Sequence, residues 1–414
     1  MIDRPAIAVR SDEFLDDPVG CLARARAAGG VCPTTPDNWM LVTRHELVRT
    51  VLLDPETYSS RINKHHTVPA EIADEVGALR AQGWPYTSAL GTNDAPEHTR
   101  LRRMVNKSFT PRGLTALEPL VRAAAEELAA ALPDGEEIDF QAMFGEPLPV
   151  WAISRVLGLP AERRDDIRRW STAAVATIGS NPSAAQWVSY EADLLDFQLT
   201  MAAVLEANRD RPEPGLIAEL AGAIAEDGAD DGGEGVQMSL LLTLLRELVV
   251  AGNETTGKFI AESIRLFGAD ETVWQRIREN PQFATNVVEE AVRLASPTQH
   301  AMRVVTRETD LDGVALQPGQ LVMLSLASAN RDERVFESPD AFDPDREHGR
   351  AHLAFGQGPH MCIGAGLARM ESVIAWQVLA EHVKSIVPSA DSGPYTRSYI
   401  LRGPLEMRAT VNRR

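Results

Sequence analysis

Residues 355–369, FGQGPHMCIGAGLAR, pass from a glycine-rich loop into the start of a helix, with Cys362 near the join. Gly356, Gly358 and Gly364 permit positive φ and let the backbone approach something large and flat. The apolar run from Leu367 to Leu379 reads as a buried helix. A thiolate at its head is favoured by the helix N-terminal dipole and by backbone N–H donors. On these grounds three roles for Cys362 stay open. A small buried hydrophobe is the usual fate of a free cysteine. A nucleophile needs a histidine from a separate element, and His360 is too close in sequence to be placed in that role. A metal thiolate is the third.

The rest of the chain narrows the class. Its 414 residues suffice for one large domain or two with a substantial core. A formal net charge of −18 argues against non-specific binding of nucleic acid or an anionic membrane surface. Cys21, Cys32 and Cys362 form no CxxC pair and no disulfide framework, so a reducing cytosol is the expected compartment. The N-terminal MIDRPAIAVRSDEF has no apolar core of a signal peptide. The most apolar stretch, Leu240 to Val250, is interrupted by Arg246 and Glu247 and is too short to span a bilayer. No membrane anchor is therefore expected.

Taken in order, residues 13–32 read as one helix ending at Gly29-Gly30, Trp39–Val42 as a strand, and Arg44–Leu53 as a helix. From Ser59 to Asn93 only a short helical stretch near Ile72–Arg80 interrupts irregular chain, the pattern of a functional lid. Asp94-Ala95-Pro96-Glu97 reads as a helix start with Asp94 as N-cap. Amphipathic helices follow at 114–132, 160–178 and 188–209, and 227–235 reads as an exposed acidic loop. Ser239–Phe267 is a helical run of roughly eight turns. Its centre, Ala251-Gly252-Asn253-Glu254-Thr255-Thr256, holds residues that cost up to about 1 kcal/mol each in a helix interior. A local distortion is expected there. Strands are expected at 301–306, 311–316 and 320–326, and a hairpin at 395–411 around Gly403-Pro404.

The order Phe355-Gly356-x-Gly358-x-His360-x-Cys362-x-Gly364, then Leu367-Ala368-Arg369, resembles the haem-binding loop of the cytochrome P450 family. The resemblance extends over most of the chain and implies a mainly α fold with a smaller β-rich region. It implies a single large domain, 1–414, with β-rich parts near 36–60, 298–330 and 395–412. It also implies haem b (iron protoporphyrin IX) with Cys362 as axial ligand and Phe355 beside it. His98 and Arg102, four apart on one helical face, Arg303 and His360 would hold the propionates. Residues 251–256 resemble the family's Ala/Gly-Gly-x-Asp/Glu-Thr-Thr oxygen-binding motif. There Thr255 would hydrogen-bond at the oxygen site and Glu254 help to deliver protons. Glu290 and Arg293 fit its Glu-x-x-Arg pair, completed by Arg346 from a later loop; Glu289, with Val292 three residues on, does not.

Trp84, Tyr86, Val250, Ala251, Gln299, His300, Ile400 and Leu401 would lie near substrate. Packing under the loop is an equal role for Trp84 and Tyr86, and His300 is either functional or turned to solvent. The activity that the resemblance implies is a monooxygenase placing one oxygen of O₂ into a C–H bond of a small hydrophobic or aromatic substrate, by hydroxylation or O-demethylation. Electrons would come from NAD(P)H through a separate ferredoxin and its reductase, docked through Arg103, Lys107 and Arg112, and a monomer is expected. A peroxide-driven oxidase and a non-catalytic haem sensor are the alternatives; the Glu254–Thr255 pair speaks against both.

Overall fold

The Ala- and Leu-rich amphipathic runs fold as helices and the short β-branched runs as strands. The computed structural model describes residues 4–62, 68–176, 179–180, 182–210, 215–220, 233–347 and 349–414. The chain forms two compact units, one from Met1–Ile62, Arg122–Pro147 and Thr255–Arg414, the other from Asn63–Val121 and Leu148–Glu254. Among the described residues no helix is long and apolar enough to cross a membrane.

The first unit contains every strand among the described residues. Its largest sheet takes β1 (Val31–Pro33), β2 (Met40–Val42), β3 (Tyr58–Ser59), β5 (His300–Val305) and β8 (Leu321–Ser325) in the order β1-β2-β8-β5-β3. Only β2 and β8 run parallel, with Leu41 opposite Met323. Alternation along the strands serves two cores. Val31, Val42, Val322 and Leu324 pack with Val48, Val51 and Leu52 of the helix His45–Leu53. Cys32, Leu41 and Met323 pack with Phe14 and Leu22. The N-terminal segment that reads as one helix is two, Asp12–Asp16 and Pro18–Ala27. Pro18 has no N–H to continue the first helix, and the Asp17 side chain accepts from Gly20 N to cap the second.

The stretch 311–316, which reads as one strand, holds the end of β6 (Thr309–Leu311), the turn Asp312-Gly313 and all of β7 (Val314–Leu316). Asp312 and Gly313 both have positive φ, the demand of a two-residue hairpin. The expected C-terminal hairpin is also revised. β10 (Arg408–Arg413) lies between β4 (Glu137–Asp139) and β9 (Val383–Pro388), while the loop around Gly403 is closed by an isolated antiparallel bridge, Tyr395 to Pro404, with Thr396 N donating to Gly403 O and Leu405 N to Pro394 O.

In the second unit the helices Ala73–Arg80 and Arg164–Ala176 pack on Ala184–Asp210. Ile72 and Val76 meet Trp187, and Trp170 meets Phe197 edge-on at 5.4 Å. Arg169 joins Asp166, Asp193 and Asp196 across one of these seams. The next helix begins at Glu97 after Pro96, so Asp94 is not its N-cap; the Asp94 carbonyl accepts from His98 N at 2.9 Å.

The long helix runs Gly233–Phe267, so it has begun within the stretch read as an acidic loop; residues 227–232 lie outside the described residues. It is continuous through Thr256 despite the poor helix formers at its centre. Tertiary contacts outweigh propensity there. A side chain at Gly252 would come within 2.7 Å of Ile153, and the buried Asn253 donates to Ser171 Oγ at 2.8 Å.

Candidate active site

The cysteine loop is fastened by its own backbone. Cys362 N donates to Phe355 O at 2.8 Å, Gly356 N to Leu353 O at 2.8 Å and Met361 N to Gly358 O at 3.0 Å. Gly358 has φ +75°, and a Cβ there would lie 2.6 Å from Leu52 O, so glycine is required on both counts. The helix Ala365–His382 starts three residues after Cys362. Cys362 is exposed, which removes the buried-hydrophobe role; Cys21 and Cys32 are buried, and burial pushes their thiols up.

Behind the loop stands a charged triad that reading the sequence misses. Arg369 packs on the Phe355 ring at 4.3 Å and grips Glu289 through Nε at 2.6 Å and Nη2 at 3.0 Å. His352 Nε2 meets the same carboxylate at 3.0 Å. Burial alone would raise the Glu289 pKa, but the hydrogen bonds from His352 and Arg369 outweigh it and hold it at about 2. The adjacent Glu290 belongs to another network. It takes Arg293 Nε at 2.8 Å and Nη2 at 2.7 Å, Arg346 Nε at 3.0 Å and Asp343 N at 3.0 Å. The remaining donors of Arg293 reach the carbonyls of Asn330, Pro339 and Ala341.

Arg303 is buried on β5, its Nη1 donating to Met302 O at 2.7 Å. His360, half-exposed, closes the turn Gly358–His360, and Thr255 is half-buried on the long helix. Gln299 N donates to Ile400 O at 2.8 Å and Thr298 bridges to Leu401, which gathers Gln299, His300, Ile400 and Leu401 in one place. His300 does not face solvent. It is buried with Nδ1 against Tyr399 O, and burial holds its pKa at about 4, so the ring is neutral at neutral pH. With Nδ1 carrying the proton, Nε2 is a bare acceptor with no hydrogen-bond partner among the described residues.

In the second unit His98 is buried and Arg102 half-exposed on the helix Glu97–Asn106, while Arg103, Lys107 and Arg112 are exposed. Glu254 and Val250 are partly buried and Ala251 exposed. Trp84 and Tyr86 line a cavity of about 60 Å³ with Arg80, Glu191, Leu195 and Gln198. The Gln198 amide clamps the Trp84 backbone, accepting from N and donating to O, each at 2.9 Å. Arg246 lies 3.9 Å over the Tyr86 ring.

A model of the family described as Cytochrome P450 matches residues 224–391. Over 98% of its length the chain is 31% identical to the vitamin D(3) 25-hydroxylase of Pseudonocardia autotrophica, covering 96% of that protein. The chain belongs to the cytochrome P450 family. The solved structure of cytochrome P450 CYP109Q5 from Chondromyces apiculatus superposes with a TM-score of 0.82 at 29% identity, each chain covered in full. An intact type IV self-sufficient cytochrome P450 monooxygenase superposes at 0.89 with 28% identity, over 99% of this chain and 53% of that one.

The chain is thus a haem-thiolate monooxygenase with the mainly helical P450 fold. The donor set suits haem. Among the described residues no three His, Cys, Asp or Glu side chains are grouped to hold a metal ion. A metal at Cys362 must therefore bring most of its own ligands, as a porphyrin iron does, leaving the protein to supply one outward-facing sulfur. The Glu289 triad fixes Arg369 against the ring of Phe355, whose carbonyl accepts from Cys362 N. Its signal in the sequence is Arg369 within the loop motif; that Glu289, 80 residues before Arg369 and 63 before His352, meets them both is not legible there.

Proposed function

We propose that this P450 acts as one catalytic domain in the cytosol, hydroxylating or O-demethylating a small hydrophobic substrate. Electrons pass from NAD(P)H through a separate ferredoxin and reductase. The exposed Cys362, at the head of an 18-residue helix and in a loop whose Phe355 ring is backed by Arg369, carries the reading. Haem, when bound, supplies dioxygen activation, with the thiolate pushing electron density toward iron to favour O–O cleavage. His98, Arg102, Arg303 and His360 are assigned to its propionates, which the planar guanidinium fork suits. Arg103, Lys107 and Arg112 offer an exposed basic face to an acidic electron donor in an otherwise acidic chain.

The overall reaction consumes two electrons and two protons, one oxygen entering the C–H bond and the other leaving as water. Glu254 and Thr255 are assigned to the protons: a carboxyl that exchanges with solvent, and a hydroxyl that both donates and accepts. The family relative named as a vitamin D(3) 25-hydroxylase and the neutral His300 beside the apolar Ile400 and Leu401 both support a largely apolar substrate.

Thr255→Ala tests the assignment. It is expected to keep NAD(P)H consumption while product per NAD(P)H falls; unchanged coupling would place the proton path elsewhere. Full-rate turnover of wild type with peroxide alone, without any reductase, would favour the peroxide-driven alternative.

A further inference from the structure

A second cavity, of about 90 Å³, lies wholly within the first unit. That is room for several waters, at roughly 10–15 Å³ each on the same measure, and so for one phosphate- or carboxylate-sized group. Its charged lining is lopsided: Arg26, Arg265, Arg331 and Arg402 face it, against the single carboxylate of Glu262. Glu262 is already engaged, by Arg265 at 3.1 Å and by the Tyr395 hydroxyl. Arg26 pairs with Glu333 at 3.3 Å and donates to Ser328 Oγ at 3.0 Å, and Arg331 pairs with Asp340 at 2.6 Å and donates to Leu294 O at 3.1 Å; neither of these carboxylates lines the cavity. Arg402 has no carboxylate within ion-pair distance among the described residues. Its guanidinium donates to Leu15 O at 3.0 Å, and its central carbon lies 4.4 Å from the centroid of the Tyr395 ring. Burial holds both Arg331 and Arg402 below the ordinary arginine range, in Arg331 despite its Asp340 partner. This concentration of guanidinium stands in a chain of net charge −18.

We propose that the cavity binds a small oxyanion of the phosphate or dicarboxylate class, with Arg402 and Arg331 as its chief ligands. Planar guanidiniums present paired N–H donors that match such oxygens. The anion also has a structural consequence. Arg402 and Tyr395 stand on the loop closed by Thr396 N to Gly403 O and Leu405 N to Pro394 O, and Arg331 follows the short helix Leu326–Ala329. An anion bridging the two arginines ties that loop, with Ile400 and Leu401 on it, to the sheet side of the unit.

The test is titration of the haem-loaded protein with inorganic phosphate and, separately, succinate at constant ionic strength, read by calorimetry and by the melting midpoint. Wild type is expected to bind at least one of them saturably, with a matching rise in midpoint. Arg402→Gln should weaken that binding at least tenfold, and Arg331→Gln should do the same, which keeps the test open if the first variant does not fold. The exposed Lys384→Gln should leave binding unchanged. No saturable binding by wild type, or binding insensitive to both arginine variants, overturns the proposal; a shift reproduced by chloride shows general salt stabilisation and also overturns it.

Discussion

Replacing Glu290 by glutamine is the most demanding test of how the cysteine-bearing unit is held together. Glu290 accepts four hydrogen bonds, one on Oε2 from Arg293 Nε and three on Oε1 from Arg293 Nη2, Arg346 Nε and Asp343 N. Glutamine keeps at most one of those oxygens, and its NH₂ then opposes a guanidinium donor. The side chains of Arg293 and Arg346 are 0% and 7% exposed, so two cations lose their counter-charge out of reach of water. Breaking a buried pair from one side costs about 3–5 kcal/mol. A surface pair such as Arg24–Glu13, with side chains 59% and 74% exposed, is worth under about 1 kcal/mol. Urea unfolding followed by far-UV circular dichroism should show Glu290→Gln losing a large part of a total near 5–15 kcal/mol, and Glu13→Gln almost none. A Glu290→Gln midpoint within about 1 kcal/mol of wild type, with the same urea dependence, would refute this account of the network.

Glu371 should show the opposite pH trend to an ordinary carboxylate. It is wholly buried with neither oxygen hydrogen-bonded among the described residues, and burial raises its pKa well above the usual range. The unfolded chain releases that proton above the ordinary carboxyl range while the folded chain keeps it, so stability falls as pH rises, by about 1.4 kcal/mol per unit. Glu371→Gln should therefore gain on wild type as pH rises from about 4.5; parallel pH curves would contradict the assignment. His300 and Glu289 work the other way. The His300 pKa is depressed to about 4, so the unfolded state takes up a proton more readily and stability is lost as pH falls from about 6.5 to 4. Glu289, held at about 2, loses its contribution as pH falls from about 4.5 through 2. His300→Leu should flatten the first of these windows in acid-unfolding curves and leave the second. Gln198→Ala should free the Trp84 backbone and raise proteolytic cleavage near residues 84–86 more than it lowers the melting midpoint; an unchanged cleavage pattern would show that the clamp is dispensable.

The features legible in the sequence are local. The glycine spacing around Cys362 and the 3.6-residue apolar period of the long helix are both written in consecutive residues, and so is the three-residue offset of Glu290 and Arg293. The features that escape it depend on chain segments meeting from afar. Glu289 is told from Glu290 by the Val292 three residues on, but its own partners His352 and Arg369 lie 63 and 80 residues on and leave no local mark. The distortion expected near Asn253 weighs propensity alone, and a hydrogen bond to Ser171, 82 residues earlier, favours the helix there. β9 is hidden because Val383 follows the helix Ala365–His382 without a turn residue, leaving its pairing with β10 without a local signal. The Asp312-Gly313 hairpin is readable in principle, since Asp-Gly between apolar pairs is the strongest short turn signal.

The central claim is that Cys362 supplies the sulfur bound to haem iron. The direct measurement is the absorption spectrum of the haem-loaded protein, reduced under carbon monoxide. A thiolate-type Soret band that is lost in Cys362→Ala is the predicted result. A spectrum of the histidine-ligated kind in wild type, or an unaltered thiolate band in the variant, would contradict it.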